Sequence, residues 1–261
     1  MTEFTTLQSA PILLIVVIIF TLIIISYNTG YRLRSWVLKK NPDQSTIELG
    51  AINGTLLGLL GLLLAFTFSM ASSRFDTRRQ LVIEEANNIG TVVLRTDIYP
   101  DSVRNLLRSN LKQYVAERVA FYQAGMNISE VVLHYNKADS IGKQVWSIVA
   151  NYAKTDNVTT KTSEIIPALN AMIDITTTRR AAGEATIPDS IMYFLFSLCF
   201  CSAFLLGYDN KHKKFDRIVL AGFAVMLSVT VYMIIDLDLP RSGFINMDKP
   251  NEKMIELREM F

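Results

Sequence analysis

Between Leu62 and Asn88 the chain has neither proline nor glycine, and there a charge-free apolar run gives way to RFDTRRQLVIEEANN without a turn signal. The apolar run is Gly54–Ser73, and its charged continuation reaches Arg95. One helix over this length, rising about 1.5 Å per residue, exceeds the roughly 30 Å hydrocarbon thickness of a bilayer by a wide margin. The chain is therefore expected to join a membrane anchor mechanically to a domain outside the lipid.

Three further runs are free of charge: Pro11–Tyr27, Ile191–Tyr208 and Ile218–Ile235. Each is near the roughly 20 residues that a spanning helix needs. Half of the 261 residues are hydrophobic, which fits an integral membrane protein. In lipid only helices and closed barrels satisfy every backbone polar group, and these runs lack the period-two alternation of barrel strands. The first run is expected to be an uncleaved anchor rather than a signal peptide. No Lys or Arg precedes it, and no small-residue cleavage site follows before Arg32 and Arg34.

The expected class is all-α: a four-transmembrane-helix integral membrane protein with a helical-bundle soluble insert between spans two and three. Residues 1–73 hold spans one and two, and 74–187 form the bundle, continuous with helix two. Residues 188–238 hold spans three and four, and 239–261 form a short polar tail. Within the insert the extension of span two runs to Asp97 and stops before Pro100. Asp101 is placed to cap a second helix with Val103, Leu107, Leu111, Tyr114 and Val115 on one side, ended by Gly125. Asn127 with Glu130 resembles a capping box that opens a third helix. A fourth, near 162–182, carries Ile165, Leu169, Met172 and Ile173, and Gly183 breaks the chain before Pro188 starts span three. Short connections suggest an antiparallel bundle.

The short loops are basic: YRLRSWVLKK after span one, and DNKHKKFDR between spans three and four. The positive-inside rule makes both cytoplasmic and puts the insert on the other side. Arg74, Arg78, Arg79, Arg179 and Arg180 beside the spans argue the opposite way, but long loops translocate largely regardless of charge.

Gly50, Gly54 and Gly58 form a GxxxGxxxG row, continued at Gly61, Ala65 and Ser69. Such a groove admits another helix backbone within one subunit. It also suits a helix lining a pore, with Thr55, Thr67 and Ser69 offering hydroxyls in place of hydration. Past the membrane, Arg74, Arg78, Glu85, Asn88 and Arg95 recur at heptad-like spacing beside an apolar stripe of Phe75, Val82, Ala86, Ile89 and Val93. The polar stripe reads either as a solvated face, with Glu85 paired to Arg78 or Arg79, or as a charged vestibule that selects ion sign. Asp236 and Asp238 end span four. They are either an interfacial stop paired to Arg241 or, should Pro240 and Gly243 unwind the helix, a cation-attracting site.

Catalysis has little support. His134 and His212 are the only histidines, and no Ser-His-Asp order, HExxH, CxxC or phosphate-binding glycine loop is present. Cys199 and Cys201 both lie in span three, and the sequons at Asn53, Asn127 and Asn157 carry little weight. No metal site and no cofactor is expected, and a net charge of +2 argues against nucleic acid as a partner.

FTFSMASSRFDTRRQLVIEEANNIGTVVLRTDIYP (66–100) and DLDLPRSGFI (236–245) resemble the two signatures of the bestrophin-like domain family of uncharacterised bacterial membrane proteins. The resemblance spans nearly the whole chain. It implies a four-span helical protein of the bacterial inner membrane. Bestrophins proper are pentameric anion channels whose second span lines the pore and whose helical domain is cytoplasmic, the opposite side to that drawn from charge. The acidic cluster that animal bestrophins use for calcium has no counterpart here.

The leading expectation is a homo-oligomer in the lipid bilayer that passes small ions passively, anions if the resemblance holds. Gly50, Gly54, Thr55, Gly58, Gly61, Ala65, Thr67 and Ser69 would line it or pack its helices. Arg74, Arg78, Arg79, Glu85, Asn88 and Arg95 would form a vestibule. The alternative is a non-conducting sensor or assembly protein that signals by small helix shifts.

Overall fold

The computed structural model describes residues 12–40, 49–155, 159–210, 217–239, 241, 244–245 and 247–261. The sequence readings at Asn157, Lys211, His212, Lys213, Lys214, Pro240 and Gly243 lie outside the described residues. The described residues contain helices and no strand. In chain order the helices are α1 (Ile12–Lys40), α2 (Gly50–Arg95), α3 (Asp101–Gln123), α4 (Ile128–Thr155), α5 (Thr159–Glu184), α6 (Asp189–Asp209), α7 (Arg217–Asp238) and α8 (Asp248–Glu256). Short 3₁₀ turns follow α2 (Thr96–Ile98) and α8 (Leu257–Met260). Helices α1, α2, α6 and α7 are long and apolar enough to cross a membrane.

The chain divides into two compact units: Met1–Arg74 with Thr186–Leu239, and Phe75–Ala185 with Pro240–Phe261. In the first unit α1 buries a stripe at helical spacing: Ile15, Ile19, Ile23, Tyr27, Gly30 and Arg34. Two glycines set its contact with α6. A Cβ on Gly30 would overlap the Phe204 carbonyl oxygen, and one on Gly207 would overlap the Tyr27 carbonyl oxygen. Backbones this close leave no room for a side chain, which is how helices pack tightly in lipid. The Ser26 hydroxyl donates to the Phe200 carbonyl (2.7 Å), and Asn210 Nδ2 donates to Tyr27 Oη (2.9 Å). Helix α2 joins this unit through Asn53, whose amide donates to Asp209 Oδ2 at 2.9 Å.

The second unit is a bundle of the α2 extension, α3, α4 and α5. Its core holds Val93 and Ile89 of α2, Leu107, Leu111 and Val115 of α3, Val145 of α4, and Ile165, Leu169 and Met172 of α5. The apolar periodicity read from the sequence is the buried face of each helix. Gly125 ends α3 with a φ of 53°, a left-handed value that favours glycine. At α4 the backbone N–H of Glu130 donates to Asn127 Oδ1 (3.3 Å), one half of the expected capping box.

Local readings are corrected at three places. The N-cap of α3 is Pro100, and Asp101 sits in the first turn, 2.8 Å from Arg104. Helix α2 ends at Arg95, and the 3₁₀ turn carries the chain to Pro100. The polar tail is instead a structural element. Asp248–Glu256 is helical, and Met254 (0% exposed) and Leu257 belong to the bundle core. Charged residues dominate this segment's composition, yet Met254 and Leu257, three apart, fall on one face.

Candidate functional site

The membrane-spanning part of α2 has two faces. Asn53, Leu60, Thr67 and Ala71 are buried within the chain. Gly50, Gly54, Gly58 and Gly61 are exposed, and a Cβ on any of them would meet nothing within 4 Å. Ala65 and Ser69 are exposed as well. Only 17% of the apolar window of α2 is buried inside the chain, against 50% in α7. The small-residue row thus has no partner helix among the described residues of its own chain, unlike Gly30 and Gly207. Thr55 is on the exposed side, with its hydroxyl donating to the Ala51 carbonyl (2.9 Å). Thr67 is fully buried, and its hydroxyl bonds back to Leu63 and Leu64.

An apolar groove of about 380 Å³ between α2 and α6 is lined by residues such as Leu63, Phe66, Met70 and Phe194. Its lining carries no charge; Thr67 and Ser190 are the polar residues among apolar ones.

Asp238 is held within the first unit. Its Oδ2 accepts the backbone N–H of Ile187 at 2.8 Å, and its Oδ1 is 3.7 Å from Arg74 Nη1. Asp236 is also buried. Within the second unit, Arg241 Nη1 donates to the carbonyls of Phe121 and Gly125, each at 3.2 Å.

The polar stripe of the α2 extension is mostly inward-facing. Arg78 is 5% exposed and Glu85 is fully buried. Asn88 Nδ2 donates to the Ala171 carbonyl (3.3 Å), and Arg95 donates to the Glu164 carbonyl. Arg79 is exposed. The expected pairing of Glu85 with Arg78 or Arg79 is corrected by the geometry. Glu85 is gripped from two other helices, and its partners are Arg118 and Arg179. Arg118 Nε is 2.5 Å from Oε1 and Nη2 is 2.9 Å from Oε2. Arg179 Nη1 donates to Oε2 at 2.6 Å, and the Tyr122 hydroxyl donates to the same oxygen at 2.8 Å. That hydroxyl in turn accepts from Arg118 and Arg179.

A buried cation, Arg118, and a partly buried one, Arg179, thus share one carboxylate, and the electrostatics follow. Burial disfavours the charged form of Arg118, but the Glu85 carboxylate outweighs it and holds the pKa above its ordinary value. Burial pushes Arg179 down to about 10. Glu85 opposes that fall, while Arg118 and Arg241 add to it. The two family-like signatures therefore meet in the second unit: Glu85 from the first is bound by Arg118, and Arg241 from the second stacks on Phe121 (4.5 Å), whose ring Arg118 also contacts (4.7 Å). Sequence reasoning missed Arg118, Tyr122 and Arg179. The only available hint was the spacing of Arg118 and Tyr122, four apart on α3 beside an apolar face.

Among the described residues no group of His, Cys, Asp or Glu side chains is arranged to hold a metal ion. His134 Nδ1 lies 2.6 Å from Glu117 Oε2, a link between α3 and α4 with no nucleophile assigned to it.

Four apolar helices and a helical insert between the second and third define a helical membrane protein with the bestrophin fold. Solved structures share it along nearly the full chain. Two single-substitution variants of a bacterial bestrophin homologue from Klebsiella pneumoniae match with TM-scores of 0.69 and 0.66, at 12% and 14% identity. Each match covers 96% of this chain and 99% of the other. A further crystal structure, described as a membrane protein, matches with a TM-score of 0.64 at 13% identity, covering 95% and 98%. The model of the Bestrophin-like domain matches residues 30–249, and the chain belongs to that family. Comparison with curated protein sequences gives no match.

Proposed function

We propose that the protein assembles as a homo-oligomer in the bacterial inner membrane and forms a passive ion-conducting pathway lined by the membrane-spanning part of α2. The observation that carries this reading is the open glycine row. Gly50, Gly54, Gly58 and Gly61 present bare backbone at which an added Cβ would meet nothing within 4 Å among the described residues of the chain. In lipid such a face is used for close approach of helices or kept clear for passage. Neighbouring copies around an axis would place Ala65 and Ser69 on the same path, with Thr55 beside it. Arg79 is the exposed cation past its end, and a positive mouth of this kind favours anions. Glu85, being buried, takes no part in the mouth. The basic end of α1 (Arg32, Arg34, Lys39, Lys40) marks the cytoplasmic side by the positive-inside rule.

The test is flux of anions and cations from liposomes holding the purified protein, with Gly58→Leu alongside. A leucine on the open face should block flux while leaving the oligomer intact. Absence of flux in the unmodified protein at any ionic condition would refute conduction and favour the sensor or assembly reading.

A further inference from the structure

Among the described residues, the buried donors Arg118 Nη1 and Tyr114 Oη of the helical unit meet no acceptor. Their residues are 1% and 2% exposed. They lie four residues apart on α3, so they occupy adjacent turns of one helix face. A buried donor without an acceptor is costly, and a charged one more so.

Charge around these donors is out of balance. Arg118, Arg179 and Arg241 bring three guanidinium groups against the single carboxylate of Glu85. The two oxygens of that carboxylate are already taken by Arg118, Arg179 and Tyr122. Among the described residues, Arg241 meets the carbonyls of Phe121 and Gly125 and the Phe121 ring, none of which carries a net charge. Tyr135 of α4 is within electrostatic reach of both Tyr114 and Arg118 and adds only a phenol. Burial, and after it the proximity of Arg118, lowers the pKa of Arg241, as expected for cations crowded together. Buried donors without acceptors, on Arg118 and Tyr114, with the partly buried cations Arg179 and Arg241 beside them, are the complement of an anion.

We propose that a small monovalent inorganic anion, of the size and charge of chloride, binds inside the helical unit by accepting from Arg118 Nη1 and Tyr114 Oη. Arg179 and Arg241 supply the remaining positive potential. Two donors one turn apart suit one spherical acceptor, whereas a tetrahedral oxyanion would bring four oxygens to them. The site belongs to the second unit and does not depend on conduction.

The experiment uses the full-length protein in detergent with gluconate as the only anion. Sodium chloride or bromide replaces sodium gluconate at constant ionic strength while thermal unfolding is followed. The expected result is a saturable rise in Tm with halide. Tyr114→Phe, which keeps the ring and removes one donor, should need about tenfold more halide for half the rise. Crystals grown in bromide should show an anomalous peak beside Arg118 and Tyr114 of the unsubstituted protein, a readout independent of any variant. Equal Tm in gluconate and halide, an unchanged midpoint in Tyr114→Phe, or no bromide peak at that position would each overturn the assignment.

Discussion

Replacing Glu85 by glutamine keeps the size of the side chain and removes the one negative charge from a buried group of cations. In the native arrangement its two oxygens accept from Arg118 Nε and Nη2, Arg179 Nη1 and the Tyr122 hydroxyl. Glutamine keeps one acceptor and turns an amide donor toward groups that are themselves donors. Breaking a buried ion pair while leaving its partner enclosed costs about 3–5 kcal/mol. For a protein of this size that corresponds to a fall of roughly 10 °C in Tm. Thermal unfolding of the detergent-purified protein, followed by tryptophan fluorescence, measures it. Glu84→Gln is the control, since its neighbouring carboxylate is exposed. Combining Glu85→Gln with Arg179→Met should recover part of the loss, because one uncompensated cation leaves with its partner. A Glu85→Gln protein that melts within about 3 °C of the unsubstituted one, as the control should, would refute the claim that this network holds α2 to α3 and α5.

Gly207→Ala should destabilise the first unit by about 1–3 kcal/mol or more, because its Cβ overlaps the Tyr27 carbonyl oxygen; Gly54→Ala, which meets nothing, should leave the Tm of the solubilised protomer unchanged. Met254→Ala should cost about 2–5 kcal/mol by opening a cavity in the bundle core, seen as a lower Tm and faster proteolysis of the second unit. Asp238→Ala leaves the buried N–H of Ile187 without its acceptor, and a loss of about 1–3 kcal/mol is expected in the same melting assay. In reconstituted vesicles, Arg79→Glu should shift the reversal potential toward cation selectivity, and an unchanged potential in a conducting protein would remove Arg79 from the ion path.

What could be read from the sequence depended on range. The spanning helices were visible because 18 or so residues without a charge leave few alternatives to a membrane span. The bundle helices showed in local periodicity, with Leu107, Leu111 and Val115 recurring at helical spacing and Gly125 marking a stop. The partners of Glu85 did not show, since Arg118 is 33 residues away and Arg179 is 94. A side chain that is to be buried beside a charge carries no local mark of it, so Glu85 looked like one more member of a polar face. The glycines divided in the same way. Gly50 to Gly61 stood out as a repeat, while Gly30 and Gly207, isolated in their helices, gave no sign that they lie against another backbone. Helix α8 was hidden by composition: Met254 is fully buried while Ile255 is exposed, and the charged residues dominate any average.

The placement of α8 has a consequence for biogenesis. The core of the helical unit combines residues 86–172 with Met254 and Leu257, and between those segments the ribosome must produce both α6 and α7. Domains generally fold as units during synthesis, starting from the N-terminal side, but this one cannot finish in that way. A partly built bundle, with its core short of Met254 and Leu257, must wait while two hydrophobic helices are handed to the insertion machinery. Membrane insertion thereby becomes a checkpoint for completing the bundle, and a chain that fails to insert α6 or α7 would retain an unsealed apolar core, the kind of surface that chaperones and proteases recognise.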